Sequence, residues 1–324
     1  MNDLLLFALA VAGGFALLVG GAERFIYGSS AIAINLGISP LIIGLTVVGF
    51  GTSAPEMLIS GVSSWSGNPG IAVGNAIGSN IANIALVLGI TALIMPLSVH
   101  SDTLRREFPV LLAVTLLTLL LLADGDLSRV DGILLFTGML VMIYLVVKLG
   151  LQTRQTDPMK AEYSVEIPQH IPMGKAIFWT ALGLLVLLAS SKMVVWGAIG
   201  IARAYGVSDL VIGLTIVAFG TSLPELAASI ISACKKEHDI AIGNIIGSNM
   251  FNLLGVLAIP GLIHPTLIEQ SLLERDLPIM IALTIALFAM AYGFGRQSVI
   301  SRVEGATLLL SFFGYLGIIY IMSV

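Results

Sequence analysis

Charge is scarce in this 324-residue chain. Asp, Glu, Lys and Arg make up 10% of it, against 57% hydrophobic residues, a balance outside the range of soluble domains. The single cysteine, Cys234, excludes an intrachain disulfide, and neither a CxxC nor a His-rich metal spacing occurs. Alternating strand patterns of ~10 residues are absent, which argues against a membrane barrel. The start, Met1-Asn2-Asp3, puts no basic segment ahead of the first apolar run, so that run does not read as a cleaved signal peptide. With a net charge of −4, no nucleic-acid partner is expected.

What is present is long apolar sequence. A bilayer-crossing helix needs ~20 mostly apolar residues. Candidate spans cover 3–34, 40–65, 70–95, 108–123, 132–149, 174–200, 210–234, 240–263, 277–294 and 305–323. The expected fold is an all-α integral membrane protein of about ten transmembrane helices, with the lipid bilayer as its partner. The polar stretch 151–172 is too short to form a domain.

Two stretches are nearly the same sequence, 169 residues apart. Residues 43–56 read IGLTVVGFGTSAPE and residues 212–225 read IGLTIVAFGTSLPE; GNAIGSN at 74–80 then aligns with GNIIGSN at 243–249 without a gap. The offset reaches back into the first span, where Gly14, Gly28 and Gly37 fall on Gly183, Gly197 and Gly206. A repeat unit with five spans, an odd number, re-enters the membrane from the opposite side. The expectation is two inverted-topology five-helix repeats, 1–150 and 173–324, joined by a cytoplasmic linker at 151–172. Basic residues orient them. With the N-terminus outside, the cytoplasmic loops hold Arg105, Arg106, Lys148, Arg154, Lys160, Lys175, Lys235, Lys236, Arg296 and Arg302, and the outer loops hold only Arg129, Arg203 and Arg275. Both termini are therefore expected outside, in a plasma membrane (the inner membrane of a bacterium).

Each repeat carries one carboxylate, Glu56 or Glu225, inside an apolar run, and a duplicated acidic motif at membrane depth points to an ion site. Pro55 cannot donate to the carbonyl of Gly51, nor Pro224 to that of Gly220, so both helices should break there. Such a break is tolerated in a membrane where protein, water or ions satisfy the freed carbonyls. Thr52 and Glu56 are four apart, as are Thr221 and Glu225, and the spacing predicts that each pair converges on one side of its break. Ser53 and Ser222 add hydroxyls. The next helices carry polar stripes, Asn75-Ser79-Asn83 and Asn244-Ser248-Asn252, beside the small-residue pairs Gly74/Gly78 and Gly243/Gly247 that permit close backbone approach. Convergence of these groups makes an oxygen-rich cage with two negative charges. Oxygen suits calcium and sodium, whereas soft metals call for His or Cys. The asparagine stripes have a second reading as helix–helix glue.

The two GTS-x-PE segments, each followed by GN-x-IGSN, resemble the alpha-repeats of the calcium/cation antiporter superfamily, particularly its prokaryotic sodium/calcium exchangers, over nearly the whole chain. The resemblance implies cation binding by Glu56 and Glu225, with oxygens from Thr52, Thr221, Ser53, Ser222, Ser79 and Ser248. It further implies a carbonyl one turn earlier at Gly49 and Ala218, and a polar position at Asn83 and Asn252. Some exchangers carry an aspartate at the place of Asn252; here both members of that pair are neutral. The implied activity is sodium/calcium exchange by alternating access, with the ions as cargo, no cofactor and no obligate protein partner. Calcium/proton exchange is the alternative, because paired glutamates in a dry site also bind protons. A passive channel suits a two-fold repeat less well. An intramembrane hydrolase using the two glutamates as acid and base lacks a histidine within a span to serve Ser53 or Ser222. Glu23 and Lys192 occupy equivalent positions, so a salt bridge between them is conceivable, beside a local pairing of Glu23 with Arg24. His100, His170, His238 and His264 are expected in solvated loops, and Asp124, Asp126 and Asp131 in a solvated turn.

Overall fold

The computed structural model describes residues 2–99, 104–152, 171–206, 218–292 and 299–323. Most of the linker and the first part of the 210–234 span lie outside these, as do His100, His170, Arg154, Lys160 and Arg296. The described chain is almost entirely helical. The first half holds α1 (Asn2–Leu36), α2 (Pro40–Thr52), α3 (Ala54–Trp65), α4 (Pro69–Ile94), α5 (Leu104–Leu122) and α6 (Arg129–Gln152). The second holds α7 (Met173–Ala204), α8 (Ala218–Thr221), α9 (Leu223–Cys234), α10 (His238–Ile263), α11 (Leu277–Tyr292) and α12 (Arg302–Ser323). Six of these helices are long and apolar enough to cross a membrane, and seven if the bent pair α2–α3 is one span.

The repeat recurs in backbone detail. Gly37 and Gly206 both take positive φ where α1 and α7 end, 63° and 75°. At the turn before α4, Gly67 sits at φ 78°; its mate before α10 is Lys236, forced into the same left-handed region at φ 61°. Asn83 and Asn252 each open a π-helical stretch, Asn83–Leu88 in α4 and Asn252–Val256 in α10. One departure from the all-helical expectation is two short antiparallel ribbons. Leu97–Ser98 pairs with Val299–Ile300, and Asp126–Leu127 pairs with Thr266–Leu267, each joining one half to the other. Strands of two residues leave no periodicity for a sequence to show.

The halves interdigitate. α1 runs antiparallel along α7 on a seam of small residues: a Cβ on Gly21 would meet the Leu187 nitrogen at 2.9 Å, and one on Gly197 the Phe7 carbonyl at 2.7 Å. The last helix of each half packs on the fourth helix of the other. Gly132 of α6 meets Gly261 of α10, and Gly305 of α12 meets Gly89 of α4. Lipid cannot drive apolar helices together, so such close backbone approach is what dispersion requires in a membrane.

One relationship breaks the symmetry. α1 packs along α9, burying Leu223, Ala227 and Ala228 with Phe25 and Leu18, whereas the equivalent α7 makes no comparable contact along α3. Leu58 and Val62 of α3 are consequently 60% and 66% exposed, against 8% for Ala227, the mate of Leu58. Beside the α1–α9 contact, Lys235 Nζ reaches the Glu23 carbonyl at 3.4 Å. Arg24 stacks over Trp179 of α7, and neither Glu23 nor Lys192 forms an ion pair among the described residues. The quadrupole of the indole ring attracts the guanidinium, which lies 4.8 Å from its centroid. Asp124 accepts from the Asp126 N–H, and Asp131 from the N–H and hydroxyl of Ser128, so this acidic loop is turn and cap chemistry. His264 is exposed; His238 is half-buried, since it opens the buried α10.

Candidate cation site

The two predicted breaks fall at Ser53 and Ser222. Both leave helical geometry for the same bridge-region conformation, φ −78°, ψ 3° and φ −88°, ψ 4°. α2 and α3 meet there at a 41° bend. Pro55 and Pro224 lie in the first turn of the second half-helix, where a missing N–H costs nothing. Glu56 and Glu225 follow immediately, at the N-terminal, positively polarised ends of α3 and α9. Thr52 closes α2 at the opposite, carbonyl-bearing end. A broken helix thus offers carboxylate and carbonyl-end oxygens at one level, which a straight helix cannot do.

Both glutamates are buried, 1% and 0% exposed, and none of their carboxylate oxygens makes a hydrogen bond of ordinary geometry among the described residues. Each has its own backbone N–H close by. Glu56 is near enough to act on Glu225 through its charge, and the Thr52 hydroxyl lies beside Glu225 as well. The side-chain nitrogens and oxygens of Asn83 and Asn252 and the hydroxyls of Ser53 and Ser222 are likewise buried and unpartnered. Native interiors leave few such groups unpaired, so this concentration marks a place where something other than protein completes the coordination. Among the described residues no group of three or more His, Cys, Asp or Glu gathers to hold a metal. What the site presents is amide, hydroxyl and carboxylate oxygen, the donors of hard, mobile cations rather than of a resident transition metal.

Thr52 takes partners other than those its spacing suggested. Rather than turning to its own Glu56, its Oγ1 lies 3.0 Å from Asn244 Oδ1 and 3.2 Å from Ser248 Oγ, both in the other half. Gly49 is already engaged: its carbonyl accepts the Ser53 N–H at 3.1 Å and has the Ser248 hydroxyl at 3.3 Å and that of Thr52 at 3.4 Å. Ala218 opens α8, Thr221 closes it, and Ser79 is buried on α4. Glycine makes the approach of α2 to α10 possible, with Gly44 against Gly243 and Gly49 against Gly247 at backbone contact. Around Gly74 and Gly78 nothing described comes within 4 Å.

Two features passed unnoticed in the sequence though the same offset reveals them. Ser229, mate of Ser60, hydrogen-bonds Asn244 at 2.9 Å. Asp276, mate of Glu107, is buried and held by Arg275 at 2.7 Å and the Tyr315 hydroxyl at 3.0 Å.

The profile of the sodium/calcium exchanger protein family matches residues 6–148 and again 175–321. The chain belongs to that family. It is 50% identical over 312 residues to the proposed antiporter CaxA of Alkalimonas amylolytica, covering 96% of this chain and 98% of that one. It is 31% identical over 340 residues to the sodium/calcium exchanger MaX1 of Methanosarcina acetivorans, covering 95% and 96%. The solved sodium-calcium exchanger NCX_Mj superimposes with a TM-score of 0.80 at 33% identity, over 98% of each chain. This exchanger-family chain is therefore a multi-pass membrane protein and a cation antiporter. Its family is one of transporters, not of enzymes.

Proposed function

We propose that the protein exchanges sodium for calcium across the plasma membrane by alternating access. The observation that carries this reading is that Glu56 and Glu225, one from each half, are buried, near enough for charge to act between them, and without a hydrogen bond of ordinary geometry to their oxygens among the described residues. The proposed ligands are these carboxylates with Thr52, Thr221, Ser53, Ser222, Ser79, Ser248, Asn83, Asn252 and the carbonyls of Gly49 and Ala218. One calcium or two sodium ions neutralise two carboxylates, and a third sodium leaves an excess of +1. Calcium and sodium then compete for overlapping positions, and an empty cage with two unpaired charges in low dielectric resists the switch between its two open states.

Ten spans in two inverted repeats, 1–150 and 173–324, complete the proposal, with the linker 151–172 in the cytoplasm and both termini outside. The α1–α9 contact closes the end carrying Lys235 and Lys236, and α7 and α3 make no comparable contact at the other end. With basic loops inside, the proposal is a carrier closed on its inner side. A relative named inner membrane protein YrbG, of Escherichia coli (strain K12), 41% identical, supports placement in a plasma membrane.

Calcium uptake into sodium-loaded proteoliposomes diluted into sodium-free buffer tests this, with a pH gradient as control. Uptake that requires internal sodium is the expected result. Uptake that follows the pH gradient and ignores sodium moves the assignment to calcium/proton exchange.

A further inference from the structure

Asn244 is repeated in sequence by Asn75, yet the two make different contacts. Nδ2 of Asn244 lies 3.2 Å from the Glu225 carbonyl and 2.9 Å from Ser229 Oγ. A backbone carbonyl only accepts, so the amide must point its nitrogen there and its oxygen at Thr52. That oxygen only accepts as well, and Thr52 Oγ1 stands 3.0 Å away. Asn244 lies closer to the Thr52 hydroxyl than the Gly49 carbonyl does, 3.0 Å against 3.4 Å, so the proton goes to Asn244 and the lone pairs are left for other neighbours. Ser248 Oγ, at 3.2 Å, has one proton to share between that oxygen and the Gly49 carbonyl at 3.3 Å. Asn244 is wholly buried, so water does not compete for any of these bonds. Asn75 is half-buried and, among the described residues, hydrogen-bonds the Glu56 carbonyl alone, at 3.4 Å, while Ser60 turns away to the Val256 carbonyl at 2.7 Å.

We propose that Asn244 is a positioning residue for the cation site, taking the Thr52 proton so that oxygen, not hydrogen, faces the Glu225 carboxylate. Lone pairs set against a carboxylate repel it unless a cation lies between them, so the arrangement is preorganised for the ion. Without Asn244 the Thr52 hydroxyl turns and donates to Glu225, a charge-assisted bond that the cation must then break. The inference rests on the functional reading above and assigns Asn244 no contact with the ion.

Equilibrium binding of radioactive calcium to the purified full-length protein tests it. Asn244→Ala is expected to weaken calcium binding about tenfold or more, the scale of a lost bond to a charged group. Asn75→Ala is expected to weaken it less than about threefold, in line with its longer contact. Because Asn244 acts through Thr52, adding Asn244→Ala to Thr52→Val is expected to cost nothing beyond Thr52→Val alone. In proteoliposomes the Asn244→Ala variant should raise half-saturating calcium while its maximal rate stays within about threefold. If the alanine variant does not purify as a monodisperse protein, Asn244→Ser is measured against the same criteria. Wild-type affinity in Asn244→Ala, additive losses in the double variant, or equal losses at Asn75 and Asn244 overturn the proposal. A wild-type protein that binds no calcium instead overturns the functional reading beneath it.

Discussion

Ser30 and Glu237, 207 positions apart, share a buried hydrogen bond in which the Ser30 hydroxyl donates to Oε2 at 2.5 Å. It fastens α1 to the turn between α9 and α10, on the end of the molecule where α1 and α9 are already packed. Burial pushes the Glu237 carboxyl up to about 7, against the opposing pull of the Ser30 hydroxyl and of Lys235. The folded protein therefore holds this proton more tightly than the unfolded chain. Between the ordinary carboxylate value of 4.5 and about 7, stability falls as pH rises, and above that it levels off. The slope is at most about 1.4 kcal/mol per pH unit. Melting temperatures of wild type and Glu237→Gln from about pH 5 to about pH 8 check the sign. The wild type should lose ground to the variant as pH rises, and a constant difference would show that Glu237 does not titrate in the fold.

Glu56→Gln and Glu225→Gln keep volume and shape while each removes one of the two charges of the site. Each is expected to abolish calcium transport and leave the protein folded, because the carboxylate oxygens make no hydrogen bond of ordinary geometry among the described residues and the amide keeps an oxygen for the N–H beside it. Size-exclusion profile and calcium uptake measured on the same preparation separate the two effects. Normal uptake in either variant would remove that glutamate from the ligand set.

The α2–α10 seam tolerates no side chain. A Cβ on Gly243 would lie 2.8 Å from the Leu41 carbonyl and one on Gly44 2.9 Å from that of Ile240, so Gly243→Val and Gly44→Val should push the helices apart. Overpacking of this kind costs ~1–3 kcal/mol. Melting temperatures of both variants against wild type check this, and an unchanged melting temperature in either would mean that the seam does not limit stability.

Tyr315 gives Asp276 its second tether. Tyr315→Phe removes a hydrogen bond of 3.0 Å and leaves Arg275 in place, so the loss should be about 1 kcal/mol, read as a modest drop in melting temperature. Calcium uptake by this variant should match wild type, because the hydrogen-bond partners of Asp276, Arg275 and Tyr315, are not among the residues assigned to the cage.

The amino-acid sequence by itself determined the medium, the duplication, the two buried glutamates and the places where the helices break. Those are local facts: an apolar run is apolar wherever it lies, and Pro55 or Pro224 withholds an N–H in any fold. The ends of the spans and the two-residue ribbons were not legible, because strands so short carry no pattern. Only the tertiary structure decided that Thr52 turns to Asn244 rather than to Glu56, and that Asn244 is fully engaged where Asn83 and Asn252 are not. It alone joined Ser30 to Glu237 and packed α1 on α9 without packing α7 on α3. Nearly identical motifs cannot encode unlike contacts. The difference between them comes from neighbours far away in the chain, and from the one of two packings that the halves adopt together.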